Sequence, residues 1–186
     1  MESLTYKDHT NFVSCICYLS AEQWICTGSN DATVIIYKSE GYVPLLVLKG
    51  HESTVCAIAQ GAEPRSLITG SWDKTARIWT ISEQGSYNFV SLKGHEAAVW
   101  AVACMPSSSK FITGSADKNI FYWNARGEKL RMLKGHTDCV RAVLTLKENW
   151  LVSAANDAVL RYWNDDGECV QELTGHVNYI YGLAPN

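Results

Sequence analysis

Histidine, aspartate and a hydroxyl recur together along this chain, and those three groups are the working parts of a nucleophilic relay. Histidines stand at 9, 51, 95, 136 and 176, and Asp31, Asp73, Asp117 and Asp157 follow the first four by 22, 22, 22 and 21 residues. A hydroxyl precedes each Asp by four residues, at Thr27, Thr69, Thr113 and Ser153. In a hydrolase the imidazole takes the proton of an activated hydroxyl while the carboxylate orients the ring. Such a nucleophile works from one exposed site. Here the set repeats in every period beside an aromatic six residues past the Asp, at Tyr37, Trp79, Trp123 and Trp163. Repetition therefore assigns His9, His51, His95, His136 and His176 and their partners to a structural hydrogen-bond network, and no residue to catalysis. The position two before each Asp is less uniform (Ser29, Ser71, Ser115, then Ala155), so the network partner is placed at the Thr27 set. Each such bond stabilises by about 1 kcal/mol net, and orphaning a buried partner costs about 1–3 kcal/mol.

Other chemistries find little support in the residue pattern. The histidines lie some 40 residues apart, too far to share a metal through local spacing, and no Gly-rich phosphate loop is present. No cofactor is expected. Seven cysteines, at 15, 17, 26, 56, 104, 139 and 169, include no Cys-x-x-Cys pair; they read as small buried apolar groups in a reducing compartment. Cytoplasm and nucleus follow as the expected locations. A net charge of -3 excludes the basic stripe that nucleic-acid binding needs. No apolar run reaches the ~18 residues of a membrane span, and the polar residues 1–11 lack the apolar core of a secretory signal.

The elements that position the markers are short strands. In the third period, residues 98–104, 110–115, 120–123 and 130–133 are β-rich and separated by turn clusters. Four strands per period of about 40–45 residues, with Gly-His and Trp markers, describe one blade of a WD-repeat β-propeller. The fold class is all-β, with about four blades as an incomplete arc of an expected seven-bladed ring. The repeats run over approximately 9–50, 51–94, 95–135 and 136–175, within one propeller segment spanning 1–186, and a further blade begins at 176–186 with a strand over 179–183. The end strands of an open arc would present unpaired edges.

Loops carrying the His and the Asp share one face of a propeller, and a partner is expected there. Strand alternation turns the residues three and five past each His away from the core-facing residue at plus four. These are Phe12 and Ser14, Thr54 and Cys56, Ala98 and Trp100, Cys139 and Arg141, and Tyr179 and Tyr181. The turn tips add Asn30, Trp72, Ala116 and Asn156. From these we select Phe12, Asn30, Trp72, Trp100, Arg141, Asn156, Tyr179 and Tyr181 as the partner-binding face, since aromatic residues and Arg dominate interface hot spots. Trp72 reads equally as packing against the neighbouring blade, and Trp100 as lining the central channel.

Particular runs carry a resemblance. Lys49-Gly50-His51, Ser71-Trp72-Asp73-Lys74-Thr75, Val99-Trp100-Ala101-Val102, Thr113-Gly114-Ser115-Ala116-Asp117-Lys118, Gly135-His136-Thr137-Asp138-Cys139-Val140-Arg141 and Asn178-Tyr179-Ile180-Tyr181 occur in an order that resembles the phospholipase A-2-activating protein family. The likeness spans nearly the whole chain. It implies a propeller that binds ubiquitin or ubiquitinated proteins, working as an adaptor in ubiquitin-dependent protein catabolism and ubiquitin homeostasis. It also implies cooperation with the valosin-containing AAA ATPase, but only through domains that follow the family's propeller and have no counterpart in these residues. The alternative is a generic interaction scaffold that does not touch ubiquitin. Departures from the WD pattern are Tyr37 in place of Trp and Lys7-Asp8 before His9, so the first blade is expected to hold its network more loosely.

Overall fold

A computed structural model describes residues 7–184. Residues 1–6, which include most of the polar opening, and residues 185–186 lie outside the described residues, as do the outer bounds of the 1–186 segment.

The chain forms four antiparallel four-stranded sheets, each built from consecutive strands in sequence order. Blade one holds β1 (Val13–Leu19), β2 (Trp24–Ser29), β3 (Val34–Lys38) and β4 (Pro44–Leu48). Blade two holds β5 (Val55–Gln60), β6 (Ser66–Ser71), β7 (Ala76–Ile81) and β8 (Tyr87–Leu92). Blade three holds β9 (Val99–Met105), β10 (Lys110–Ser115), β11 (Ile120–Trp123) and β12 (Lys129–Leu133). Blade four holds β13 (Val140–Thr145), β14 (Leu151–Ala155), β15 (Leu160–Trp163) and β16 (Cys169–Leu173). First strands pack beside first strands, β1 on β5, β5 on β9 and β9 on β13, which makes them the inner edge of an arc. The sheets do not close into a ring.

The apolar core lies between blades. One cluster joins Leu19, Cys26, Val34, Ile36 and Leu48 of blade one to Val55, Leu67 and Trp79 of blade two. A second joins Ile68, Ile78 and Leu92 to Val99, Val102, Phe111 and Trp123. A third joins Met105, Ile112, Tyr122 and Leu133 to Val140, Leu151 and Trp163. Each full burial of such a side chain contributes about 1.5–3 kcal/mol. A blade thus has no core of its own, which is why repeats must stack. Central strands are buried on both faces, as along all of β6. The outermost strand β16 is exposed throughout.

Tight stacking sets the small residue on each second strand. A Cβ on Gly70 would stand 2.8 Å from the Val99 carbonyl oxygen, and one on Gly114 would stand 2.6 Å from a Val140 methyl. Blade four carries Ala154 at this register, and the next segment approaches it through the Ile180 N–H, which donates to the Ala155 carbonyl at 3.3 Å. The strand expected over 179–183 is not formed. A ladder needs a second strand of the same blade beside it, and no described strand lies there. Ile180 is nevertheless buried against blade four.

Candidate protein-interaction site

The b–c turns of the four blades, between second and third strands, place the Asp. In blade two the Ser71 N–H donates to the Thr75 carbonyl, and Lys74 takes a positive φ of 69°. The Asp73 carboxylate then accepts from four groups: His51 Nδ1 (2.7 Å), the Glu52 N–H (3.0 Å), the Thr75 N–H (2.9 Å) and the Thr75 hydroxyl (2.6 Å). His51 Nε2 lies 2.7 Å from the Thr69 hydroxyl, which also accepts the Trp79 indole N–H at 2.8 Å. Blade three repeats this with His95, Asp117, Thr113 and Trp123 at 2.7, 2.7 and 2.9 Å. Blade four repeats it with His136, Asp157, Ser153 and Trp163 at 2.8, 2.7 and 2.7 Å.

Donor counting fixes the direction of the chain. The indole can only donate, so the hydroxyl accepts from it and passes its single proton to the imidazole. In blades two and three Nδ1 faces an ionised carboxylate that can only accept, so each imidazole donates from Nδ1 and accepts at Nε2; at His136 the Arg161 Nη1, also a donor only, lies 2.6 Å from Nδ1 and competes for it. Burial pushes the His51 and His136 pKa values down, against the raising pull of Asp73 and Asp157. Burial raises the Asp31 and Asp117 carboxyls, but the hydrogen bonds donated to them outweigh it and hold both at about 2. Asp73 and Asp157 are lowered by the same balance. Thr69, Thr113 and Ser153 are 0% exposed, so no substrate reaches these hydroxyls.

Blade one departs from the others. His9 reaches Asp31 at 2.9 Å and Thr27 at 2.8 Å. Tyr37 replaces the indole, and its hydroxyl interacts with Asp8 and Thr27, while burial raises its pKa. Thr27 also has a second acceptor in the Ile35 carbonyl at 3.4 Å. His176 is exposed and has no hydrogen-bond partner among the described residues.

Two sets of network residues and one arginine are not legible in the sequence. Ser29, Ser71 and Ser115 each cap the Asp N–H at 3.1 Å and donate to a carbonyl of the His loop. Thr33, Thr75 and Asn119, two past the Asp, bind its carboxylate, and their regular spacing was the available signal. Val159 stands there in blade four, and Arg161 substitutes, its Nη1 lying 2.9 Å from Asp157 and 2.6 Å from His136 Nδ1.

On the His face, the expected partner residues separate into two groups. Trp72 and Trp100 have ring centroids 5.4 Å apart, a contact between blades two and three. The Arg141 guanidinium sits 4.4 Å over Trp100 and 5.7 Å from Tyr181, and its Nε donates to Asn156 Oδ1 at 3.0 Å. Tyr179 and Tyr181 meet edge-on at 6.2 Å. One ribbon of Trp72, Trp100, Arg141, Asn156, Tyr181 and Tyr179 thus crosses blades two, three and four and the segment that follows them. Trp72 is 47% exposed, so it both packs on its neighbour and faces solvent. Phe12 and Asn30 stand apart on blade one, tied by the Asn30 N–H to the Phe12 carbonyl. Phe12 is 79% exposed beside Val13, Ile16 and Tyr18 on the uncovered side of β1. A cleft of about 510 Å³ opens there, lined by Val13, Ile16, Ile25 and Tyr37 among others.

Two positions expected on the open face are buried, Thr54 at 7% and Cys139 at 6%. They sit where the d–a loop folds beneath the turn tip, since the Thr54 and Cys139 carbonyls accept the Trp72 and Asn156 N–H groups. The cysteines are all free, and burial pushes Cys15 and Cys104 up to about 11 and Cys26 and Cys56 up to about 12. Cys169 is an exception to the expected burial because β16 is an exposed outer strand.

These blades, pinned at matching points by the same relay, define a WD-repeat protein, and the family comparison agrees. The WD domain, G-beta repeat model matches residues 2–38, 42–80, 87–124 and 127–164, and the chain belongs to that family. Among individual proteins, it is 41% identical over 185 residues to the ubiquitin homeostasis protein lub1 of Schizosaccharomyces pombe, covering 96% of this chain and 24% of that protein. It is 41% identical over 76 residues to the phospholipase A-2-activating protein of Xenopus laevis, covering 38% of this chain and 9% of that protein. The ubiquitin fusion degradation protein 3 homolog of Caenorhabditis elegans is 31% identical over 148 residues, covering 74% of this chain and 16% of its own. The chain spans a quarter or less of the length of these relatives.

Proposed function

We propose that this chain is a non-enzymatic adaptor that binds ubiquitin, or ubiquitin on a modified protein, through the His face of its blades. The observation that carries this reading is the continuous ribbon from Trp72 through Trp100 to Arg141 and Tyr181. It offers large aromatic faces and one oriented cation, with Asn156 fixing the guanidinium. Aromatic and Arg anchors of this kind dominate interface energies. The relatives named for ubiquitin homeostasis and ubiquitin fusion degradation supply the partner class. The reading places the chain in ubiquitin-dependent catabolism, in cytoplasm and nucleus. Its buried relay hydroxyls hold blades together and carry no chemistry.

The test is a titration of isotope-labelled ubiquitin with the full chain, and with Trp72→Ala and Trp100→Ala, followed by amide shifts. Binding that weakens at least tenfold in either variant supports the site. Unchanged affinity in both removes the ribbon from the interface, and no shift with the parent chain overturns the reading.

A further inference from the structure

Four copies of one blade form an internal comparison, and one position in it holds an unbalanced charge. The residue four past the Asp faces the outer strand directly. The cross-strand pairs at this register are Ile35 with Val47, Arg77 with Ser91, Phe121 with Met132, and Arg161 with Glu172. Two pairs are apolar on both sides, and one is cation with anion. Blade two alone sets a cation against a neutral hydroxyl.

The consequence at Arg77 is visible. Arg161 binds Asp157 at 2.9 Å and Glu172 at 3.0 Å. Arg77, 8% exposed, leaves Nε and Nη1 buried with no hydrogen bond. Its neighbour Asp73 is already saturated by four donors, including the Thr75 hydroxyl that blade four lacks. Asp73 and Glu52 act on Arg77 only through space. The guanidinium rests instead 4.2 Å over Phe89. It also lies against the d–a loop, where a Cβ on Gly50 would stand 1.9 Å from Nη1. A buried guanidinium with open N–H groups is costly unless an anion completes it. Across from it, the Ser91 hydroxyl makes no hydrogen bond among the described residues, is not sealed from solvent, and sits on the outermost strand of its blade.

We propose that Ser91 is a phosphorylation site whose phosphate is received by Arg77, giving blade two the ion pair that Glu172 gives blade four. The transfer is ordinary kinase chemistry. Ser91 Oγ attacks the γ-phosphorus of ATP held by a protein kinase; the new O–P bond forms as the bond to ADP breaks, and the hydroxyl proton passes to the kinase's base. The dianion then accepts charge-assisted bonds from the guanidinium, the strong class of such bonds. Because Arg77 abuts Gly50, the modification reaches the loop that carries His51. This site is separate from the ribbon and does not depend on ubiquitin binding.

The test uses the full chain with phosphoserine installed at 91, in the parent and in Arg77→Met, with urea unfolding as readout. Phosphate is expected to raise the folding equilibrium constant about tenfold with Arg77 present and less than twofold with Met. It should also displace the Arg77 side-chain N–H resonance. Ser91→Glu, which copies Glu172, is expected to reproduce the effect in smaller measure and guards against a modified chain that fails to fold. Phosphopeptide mapping of the chain expressed in yeast cells should find the phosphate on Ser91. Equal shifts with and without Arg77, or an unmodified Ser91 in cells, overturn the proposal. So does inorganic phosphate that moves the Arg77 resonance of the unmodified chain to the same extent, which would assign the site to a free anion.

Discussion

Replacing Thr69 by valine removes one oxygen and orphans two buried groups at once. The Trp79 indole N–H loses its acceptor at 2.8 Å, and His51 Nε2 loses its donor at 2.7 Å. Trp79 is 1% exposed and the His51 side chain 1%, so water cannot replace the hydroxyl. At about 1–3 kcal/mol for each orphan, the expected loss is about 2–6 kcal/mol. That is a large part of the 5–15 kcal/mol that holds a typical domain together. With a urea dependence of roughly 3 kcal/mol per molar, the unfolding midpoint falls by about 1–2 M. Thr27→Val in blade one is the internal control. There the oxygen is only half-buried, the relay has no indole, and the cleft beside Tyr37 admits water, so about 1 kcal/mol is expected. Equal losses in the two variants, or a Thr69→Val loss below about 0.5 kcal/mol, would refute the donor-counting argument.

Arg161→Met removes the buried pair with Asp157, which keeps the bonds from His136, Thr137 and Val159, while the half-exposed Glu172 turns to solvent, so a loss of about 1–3 kcal/mol is expected in urea unfolding; Arg77→Met in the unmodified chain should change stability by less than about 1 kcal/mol, since the lost ring contacts with Phe89 and Trp79 are offset by removing the open buried N–H groups. Acid should destabilise in two stages. The lowered His51 and His136 remain neutral in the fold while the unfolded side chains take up protons, so stability starts to fall as pH drops below 6.5. The carboxylates held near 2 in the fold add stability above about 4 that is lost between about 4 and 2; a urea midpoint flat from pH 7 to 3 contradicts both. Gly70→Ala drives a Cβ to 2.8 Å from the Val99 carbonyl, and a loss of about 1–3 kcal/mol is expected by thermal unfolding.

What the residue pattern reveals, and what it hides, follows from how each interaction repeats. The His–Asp–hydroxyl–Trp sets are legible because four blades need the same bonds at the same register. The third-period strands at 110–115 and 120–123 coincide with β10 and β11, since turn residues bracket them. Position 35, 77, 121 or 161 is different in kind: Ile, Arg, Phe and Arg appear unrelated until the outer-strand partners are known. The Phe121 ring, stacked 4.1 Å on His95, shows another solution to the same space. Ser29, Ser71 and Ser115 are hard to read as network members because Ala155 breaks their series, yet they do a separate job in the three blades that keep them. Contacts between blades, such as Trp72 on Trp100, depend on the angle between sheets, which no spacing along the chain encodes. Nor does local alternation reveal that Thr54 lies beneath the turn tip.

The relay itself is open to direct observation through the nitrogens of His51 and His95, measured by long-range nitrogen–proton correlation on the full chain at neutral pH. The expected result is the Nδ1–H tautomer for both, each with an unprotonated Nε2 that accepts from Thr69 or Thr113. Nε2–H tautomers, or a different form in the two blades, would contradict the claim that one directed chain from indole to carboxylate pins blades two and three.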